Sequence, residues 1–128
     1  MPGANADAVE QLFKLARRAD HRGVRERLHD DVTWHPAREG AWKPCDNADD
    51  VVRTLLWRAH ANRMRPDEVI ELGDRVFIQL RGRRLERLGA KGFIPRLYQI
   101  IVLQQGKVTS IRDYSKRAEA LEAAGIEA

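Results

Sequence analysis

The sequence predicts an α+β domain, with helices packed on one side of a curved, mainly antiparallel sheet. Three observations predict it. Apolar residues at helical spacing fill the first half of the chain around one early strand. From residue 67 onward, β-branched segments are divided by glycine-containing turns. A short alanine-rich helix closes the chain. Its 128 residues suit one domain, 1–128, with an ordered core over about 8–125, and one hydrophobic core.

The elements follow in order. ADAVEQLFKLARRAD places Val9, Leu12, Phe13 and Ala16 on one helical face, and Asp7 with Glu10 resembles a capping box. Asp20 is positioned to cap a second helix from Arg22 to Leu28, with Val24 and Leu28 inward. DDVTWHP reads as a strand that Pro36 ends, with Val32 and Trp34 on one face and Thr33 and His35 on the other. After the loop AREGAWKPCDN, Asn47 caps a long helix. Asp49 and Asp50 lie in its first turn, and Arg58, His60, Arg63 and Arg65 crowd its end, as the helix dipole favours. Val52, Leu55, Leu56 and Ala59 form its core stripe, and Pro66 stops it. DEVIEL, RVFIQLRG, FIPRLYQIIVL and VTSIRDY then read as an antiparallel meander, followed by a helix capped by Ser115 and ended by Gly125.

The last hairpin sets the direction of Asp113. A three-residue turn, Gln104-Gln105-Gly106, puts only Gly106 in the left-handed region, whereas a two-residue turn also requires φ > 0 at Gln105. The three-residue turn sets Leu103 opposite Lys107, Gln99 opposite Ile111 and Leu97 opposite Asp113. One sheet face then carries Leu97, Gln99, Ile101, Thr109, Ile111 and Asp113. The other carries Tyr98, Ile100, Val102, Val108, Ser110, Arg112 and Tyr114. Both faces are apolar enough to need cover, one by helices and the other by a second subunit, which predicts a homodimer through the outer face.

Composition narrows the function. The hydrophobic fraction is 43%, no apolar run is long enough to span a bilayer, and the start lacks a secretory pattern. A single cysteine, Cys45, excludes an internal disulfide, and a reducing cytoplasm is the expected compartment. The net charge of +4 is concentrated in residues 81–96, where six basic residues face Glu86 alone. Clustered arginines bind phosphates. This stretch lacks interleaved aromatics for stacking, so a solvated β-connection is expected in place of a nucleic-acid site. Phosphate-loop glycines, histidine pairs at metal spacing and a Ser-His-Asp pattern are not found, so no metal and no cofactor are expected.

DDVTWHP after two helices, the capped third helix, GDRV opening a strand and QGKVTSIRDYSKRAEAL together resemble the nuclear transport factor 2-like superfamily, SnoaL-like group, from Ala8 to Gly125. The resemblance implies a cone-shaped fold, a bent sheet wrapped with helices around a deep pocket, commonly dimeric through the outer sheet face. Polyketide cyclases, ketosteroid isomerases, limonene-epoxide hydrolases and many non-enzymatic members share it. In the epoxide hydrolases the Asp of an Arg-Asp-Tyr triplet lines the pocket, and Asp113 matches it. Their additional Arg and Asp fall here on Leu80 and Gly82, so epoxide hydrolysis is disfavoured. In the ketosteroid isomerases an aspartate base precedes a proline at the end of the first strand, and His35 occupies that place before Pro36.

Two readings stand for Asp113. As a carboxylate in an apolar cavity it is a proton acceptor, with His35 as a candidate partner. As a strand-end residue it pairs with an arginine or caps the last helix. Alternation places His35 opposite the inward Trp34, which favours a surface position. The expected ligand-binding residues are Trp34, Gln99, Leu97, Ile101, Ile111 and Leu80. Trp57 is expected in the core, Trp42 as a loop anchor, and Cys45 as a plain loop thiol. The functional expectation is a pocket for a small hydrophobic molecule, with cofactor-free isomerase or cyclase chemistry at Asp113. The alternative is a non-catalytic ligand-binding or dimerisation module.

Overall fold

The computed structural model describes residues 3–37, 40, 43–82 and 97–125. Helices α1 (Ala4–Arg17) and α2 (His21–Glu26) precede strand β1 (Leu28–His35). Helix α3 (Ala48–Leu56) runs into a π-helical turn, Trp57–Ala61. Strands β2 (Arg65–Leu72), β3 (Arg75–Arg81), β4 (Leu97–Gln104) and β5 (Lys107–Tyr114) follow, and helix α4 (Arg117–Ala124) closes the described chain.

The capping chemistry is partly as expected. Asp20 accepts from the Gly23 amide at 2.9 Å, and Asn47 accepts from the Asp50 amide at 2.8 Å. The Asp7–Glu10 box does not form, because α1 starts earlier, with Gly3 at its cap, and the Ala6 amide donates to the Glu71 carboxylate of β2 instead. A Cβ on Gly3 would overlap that carboxylate, so the Glu71 side chain would have to shift to admit one. Ser115 does not cap α4; Lys116 holds that position without a side-chain bond, while Gly125 ends the helix in the left-handed conformation. Leu28 opens β1, and Pro66 lies within β2 rather than before it. An edge strand tolerates a proline there, since it has a ladder partner on one side only, and the pairing with β3 is irregular just after Pro66.

The sheet order is β1-β5-β4-β3-β2. β2 to β5 form the expected meander, but β1 pairs in parallel with β5, so the sheet is mixed, curved and open. A sequence reading finds hairpin partners through their turns; β1 and β5 are joined only by the length of chain between them, so no local signal announces the pair.

The β4–β5 hairpin uses the two-residue turn, with φ of 52° at Gln105 and 79° at Gly106. The shorter turn moves the pairing by one position and a bulge by one more, so Gln99 faces Asp113 directly, two positions from the expected register. A bulge between Val102 and Leu103 absorbs Thr109 and turns Val108 into the main core instead of the outer face. Because the error is two residues, the inner face still holds Gln99, Ile101, Ile111 and Asp113.

The main core lies between that face and helices α1 to α3, with Leu12, Phe13, Trp34, Leu55, Ile78 and Ile101 among its fully buried members. On the outer face Phe77, Tyr98 and Ile100 pack against Ala120, Leu121 and Ala124 of α4. The cover expected from a second subunit is thus supplied at Tyr98 and Ile100 by the same chain, and Val102 stays half-buried. Arg117 of α4 pairs with Glu68 at 2.6 Å and lies 5.1 Å over the Phe77 ring, fixing the helix on the sheet. Trp57, expected in the core, is 50% exposed. Among the described residues, no helix is long and apolar enough to cross a membrane.

Candidate functional site

Asp113 is 2% exposed, on the inner face of β5, and is surrounded by three donors from three different elements. The Trp34 indole Nε1 of β1 donates to Oδ1 at 2.8 Å, and the Gln99 Nε2 of β4 donates to the same oxygen at 2.8 Å. Arg58 Nη1, from the π-helical turn, donates to Oδ2 at 2.9 Å and forms an ion pair there. The guanidinium carbon of Arg58 also lies 4.7 Å from the Trp34 ring centroid, in cation–π range. All three partners donate, and the two carboxyl oxygens of Asp113 accept from them.

Local structure explains each placement. Trp34 is held by a two-way bridge to Cys45, with Trp34 N to Cys45 O and Cys45 N to Trp34 O both at 2.9 Å. Cys45 is therefore a buried thiol rather than a plain loop residue, its Sγ 3.5 Å from Thr54 Oγ1. Burial pushes its pKa up; the nearby Asp50 and Asp113 carboxylates act the same way, and Thr54 and Arg58 oppose them. Arg58 lies in the π turn that continues α3, in which the Asn62 amide reaches back to the Trp57 carbonyl at 3.2 Å.

Of the residues singled out from sequence, Asp113, Trp34 and Gln99 meet in one cluster. Ile101 and Ile111 are fully buried on the same face, and Leu80, 2% exposed, pairs with half-buried Leu97 at its edge. His35 does not join them. It pairs with Arg112 on the outer face, exposed and across the sheet from Asp113, because Trp34 takes the inward position. Trp42 and most of the basic stretch, residues 83–96, lie outside the described residues.

Arg58 is the residue that sequence reasoning missed, having been assigned to dipole compensation at the helix end. The signal was present in the spacing: Arg58 stands seven residues after Val51 and three after Leu55, so a helical wheel puts it on the buried stripe, while Trp57 falls off it. A cation on a core stripe requires a buried anion. Asp113 is that anion. The reading of Asp113 as an arginine-paired carboxylate is the one this geometry favours.

Within the cluster, Gln99 carries an irregularity. Its Oε1 is buried without a hydrogen-bond partner among the described residues, although the amide nitrogen is engaged. An unpaired buried acceptor is uncommon and needs a physical account.

A mixed five-stranded sheet, three helices on its inner face and a buried polar cluster between them define an α+β domain. No protein-family model matches the chain, and no curated protein does. Solved structures do. An NTF2-like protein of unknown function from Mesorhizobium loti matches at TM-score 0.67 and 14% identity, over 88% of this chain and 91% of that one. A putative polyketide cyclase from Sinorhizobium meliloti matches at TM-score 0.61 and 18% identity, over 84% and 93%. An epoxide hydrolase from M. tuberculosis, described as LEH-like, matches at TM-score 0.60 and 15% identity, over 94% and 89%. The chain has the nuclear transport factor 2-like fold. At these identities the likeness establishes the fold and not an activity.

Proposed function

We propose that the inner sheet face binds a small, largely apolar molecule that presents a hydroxyl or enol to Gln99 Oε1. The observation that carries this reading is the unpaired Oε1 inside a cluster whose donors are satisfied. Apolar Leu80, Leu97, Ile101 and Ile111 supply the hydrophobic surroundings, and Asp113 orients Gln99 so that its acceptor is the atom left over. The free group is an acceptor, so a ligand hydroxyl suits it better than a ligand carbonyl. A polyketide-like phenol or enolised cyclic ketone has that chemistry, and the fold is shared with a putative polyketide cyclase.

A second reading, proton transfer, has its own support. Among the described residues Asp113 Oδ2 accepts from Arg58 alone, which leaves it one acceptor position. In that version Asp113 takes a proton from the carbon beside a bound ketone, without a cofactor, and returns it at another position, as an isomerase or cyclase requires. His35 has no part in it. A non-catalytic binding module is the form favoured by the ion pair, which holds Asp113 closed. The lone thiol of Cys45 supports a reducing, cytoplasmic setting. Self-association through the part of the outer face around Val102 is a separate proposal; a monomer mass in light scattering at micromolar concentration ends it.

The test is a thermal-shift screen of wild type, Gln99→Met and Asp113→Asn against phenols, cyclic ketones, steroids and aromatic polyketides. A ligand at about 100 times its dissociation constant stabilises the fold by about 2.7 kcal/mol. Gln99→Met, which removes the acceptor, is expected to weaken that ligand about tenfold, the loss of one neutral hydrogen bond. No stabilising compound, or equal affinity in Gln99→Met, overturns the reading. Deuterium exchange at the α-carbon of a bound ketone, present in wild type and absent in Asp113→Asn, would select the catalytic version.

A further inference from the structure

A cleft of about 460 Å³ runs between α1 and the start of β2, and none of the residues lining it belongs to the Asp113 cluster. It is bipolar. Asp7 and Glu10 line one end, and Lys14, Arg17 and Arg65 line the other. The helical rise of 1.5 Å per residue puts Glu10 about 10 Å along the axis from Arg17, and Asp7 about 15 Å.

Arg17 is poorly accommodated by its own chain. Its Nη1 is buried and has no hydrogen-bond partner among the described residues. Neither Arg17 nor Arg65 forms an ion pair among those residues, whose pairs are Arg25–Asp30, Arg53–Asp50, Arg58–Asp113, Arg81–Asp67 and Arg117–Glu68. The Arg65 side chain donates to the Arg63 carbonyl, at 3.4 Å. Burial lowers the pKa of Arg17, and the neighbouring positive charges of Arg65 and Arg18 add to that. Guanidinium groups crowd together without a counter-charge only at a cost, and a planar oxyanion removes it by accepting from both forks.

We infer that the basic end of this cleft is a binding site for a small oxyanion, the phosphate or carboxylate of a polar molecule, held by Arg17 and Arg65 with Lys14 as the third cation. Arg17 Nη1 supplies the buried donor, Arg65 closes from β2, and Gln11 reaches the uncharged part of the ligand. Asp7 and Glu10, at the far end, exclude a ligand that is anionic at both ends and favour one with hydroxyl or amino groups there. The site is independent of the reading given for Asp113.

Inorganic phosphate and acetate are the probes, titrated into isotopically labelled protein at ionic strength held constant with sodium chloride. The readout is the Nε–Hε resonances of Arg17 and Arg65. The expected result is a saturable shift of both, with the stronger of the two anions identifying the phosphoryl or carboxylate class. Arg65→Gln, an exposed change that spares the core, is expected to weaken the response at least about tenfold, and Arg17→Met to abolish it. A linear drift that is the same in wild type and Arg65→Gln is a general salt effect and overturns the proposal, as does saturation at other arginines with Arg17 and Arg65 unmoved.

Discussion

Asp113→Asn separates the charge of the central cluster from its shape. If the introduced asparagine keeps its oxygen toward Trp34 and Gln99, its amide nitrogen faces Arg58 Nη1 across a gap that was a 2.9 Å ion pair, donor against donor. If it flips, Arg58 gains the oxygen and two neutral donors lose theirs. Either way at least one buried donor is orphaned. Removing one partner of a buried ion pair costs about 3–5 kcal/mol. The Arg58 side chain keeps 13% of its surface in water, which moderates the loss to about 2–4 kcal/mol. For a chain of this size each kcal/mol lowers Tm by roughly 4 °C, so a fall of about 10 °C is expected. Urea unfolding of wild type, Asp113→Asn, Arg58→Met and the double variant measures it, with a coupling of about 1.5–3 kcal/mol because neither partner is any use alone. A single variant within about 0.5 kcal/mol of wild type, or strictly additive losses, would refute the reasoning.

Three further outcomes are expected. Gln105→Gly relieves the left-handed glutamine of the two-residue turn and raises stability by about 0.5–1 kcal/mol in the same urea assay; destabilisation would mean that the turn is not under strain. Leu121→Ala opens the layer of α4 over Tyr98 and Ile100, costing about 2–3 kcal/mol, and dye binding to newly exposed apolar surface reports it. Cys45, its thiol held protonated chiefly by burial, is expected to alkylate at least about tenfold more slowly in the native protein than in urea at about pH 8.5. Since its folded pKa lies above the unfolded one, native stability declines as pH climbs past the ordinary thiol value of about 8.5, and Cys45→Ala removes that part of the decline.

What the sequence revealed depended on whether the governing physics was local. The helices were legible because their apolar spacing and the caps at Asp20 and Asn47 are written within a few residues. The inward direction of Trp34, Gln99 and Asp113 followed from period-two alternation, which survived a register error of two. The hairpin itself was misread, because the preference against φ > 0 at Gln105 was weaker than the match between a two-residue turn and strand twist. Nothing near Leu28–His35 announced its parallel partner. Arg58 was hidden by a rule that also applied: cations do gather at helix ends, and only a helical wheel carried past Leu56 shows this one on the buried side. The cover supplied by α4 was missed for want of any pattern in RAEALEAA that distinguishes a docking helix from a solvated one.

The proposed ligand site depends on Gln99 Oε1 as its open acceptor, beside Asp113. Its most direct test is a two-dimensional NMR titration that follows the Gln99 side-chain amide and the Trp34 indole N–H while a stabilising phenol or enol is added. Both signals are expected to move together and saturate with the ligand, and Gln99→Met is expected to leave the Trp34 signal in place at ligand concentrations that saturate wild type. Saturation seen only at residues outside the cluster, with the Gln99 and Trp34 signals unmoved, would contradict it.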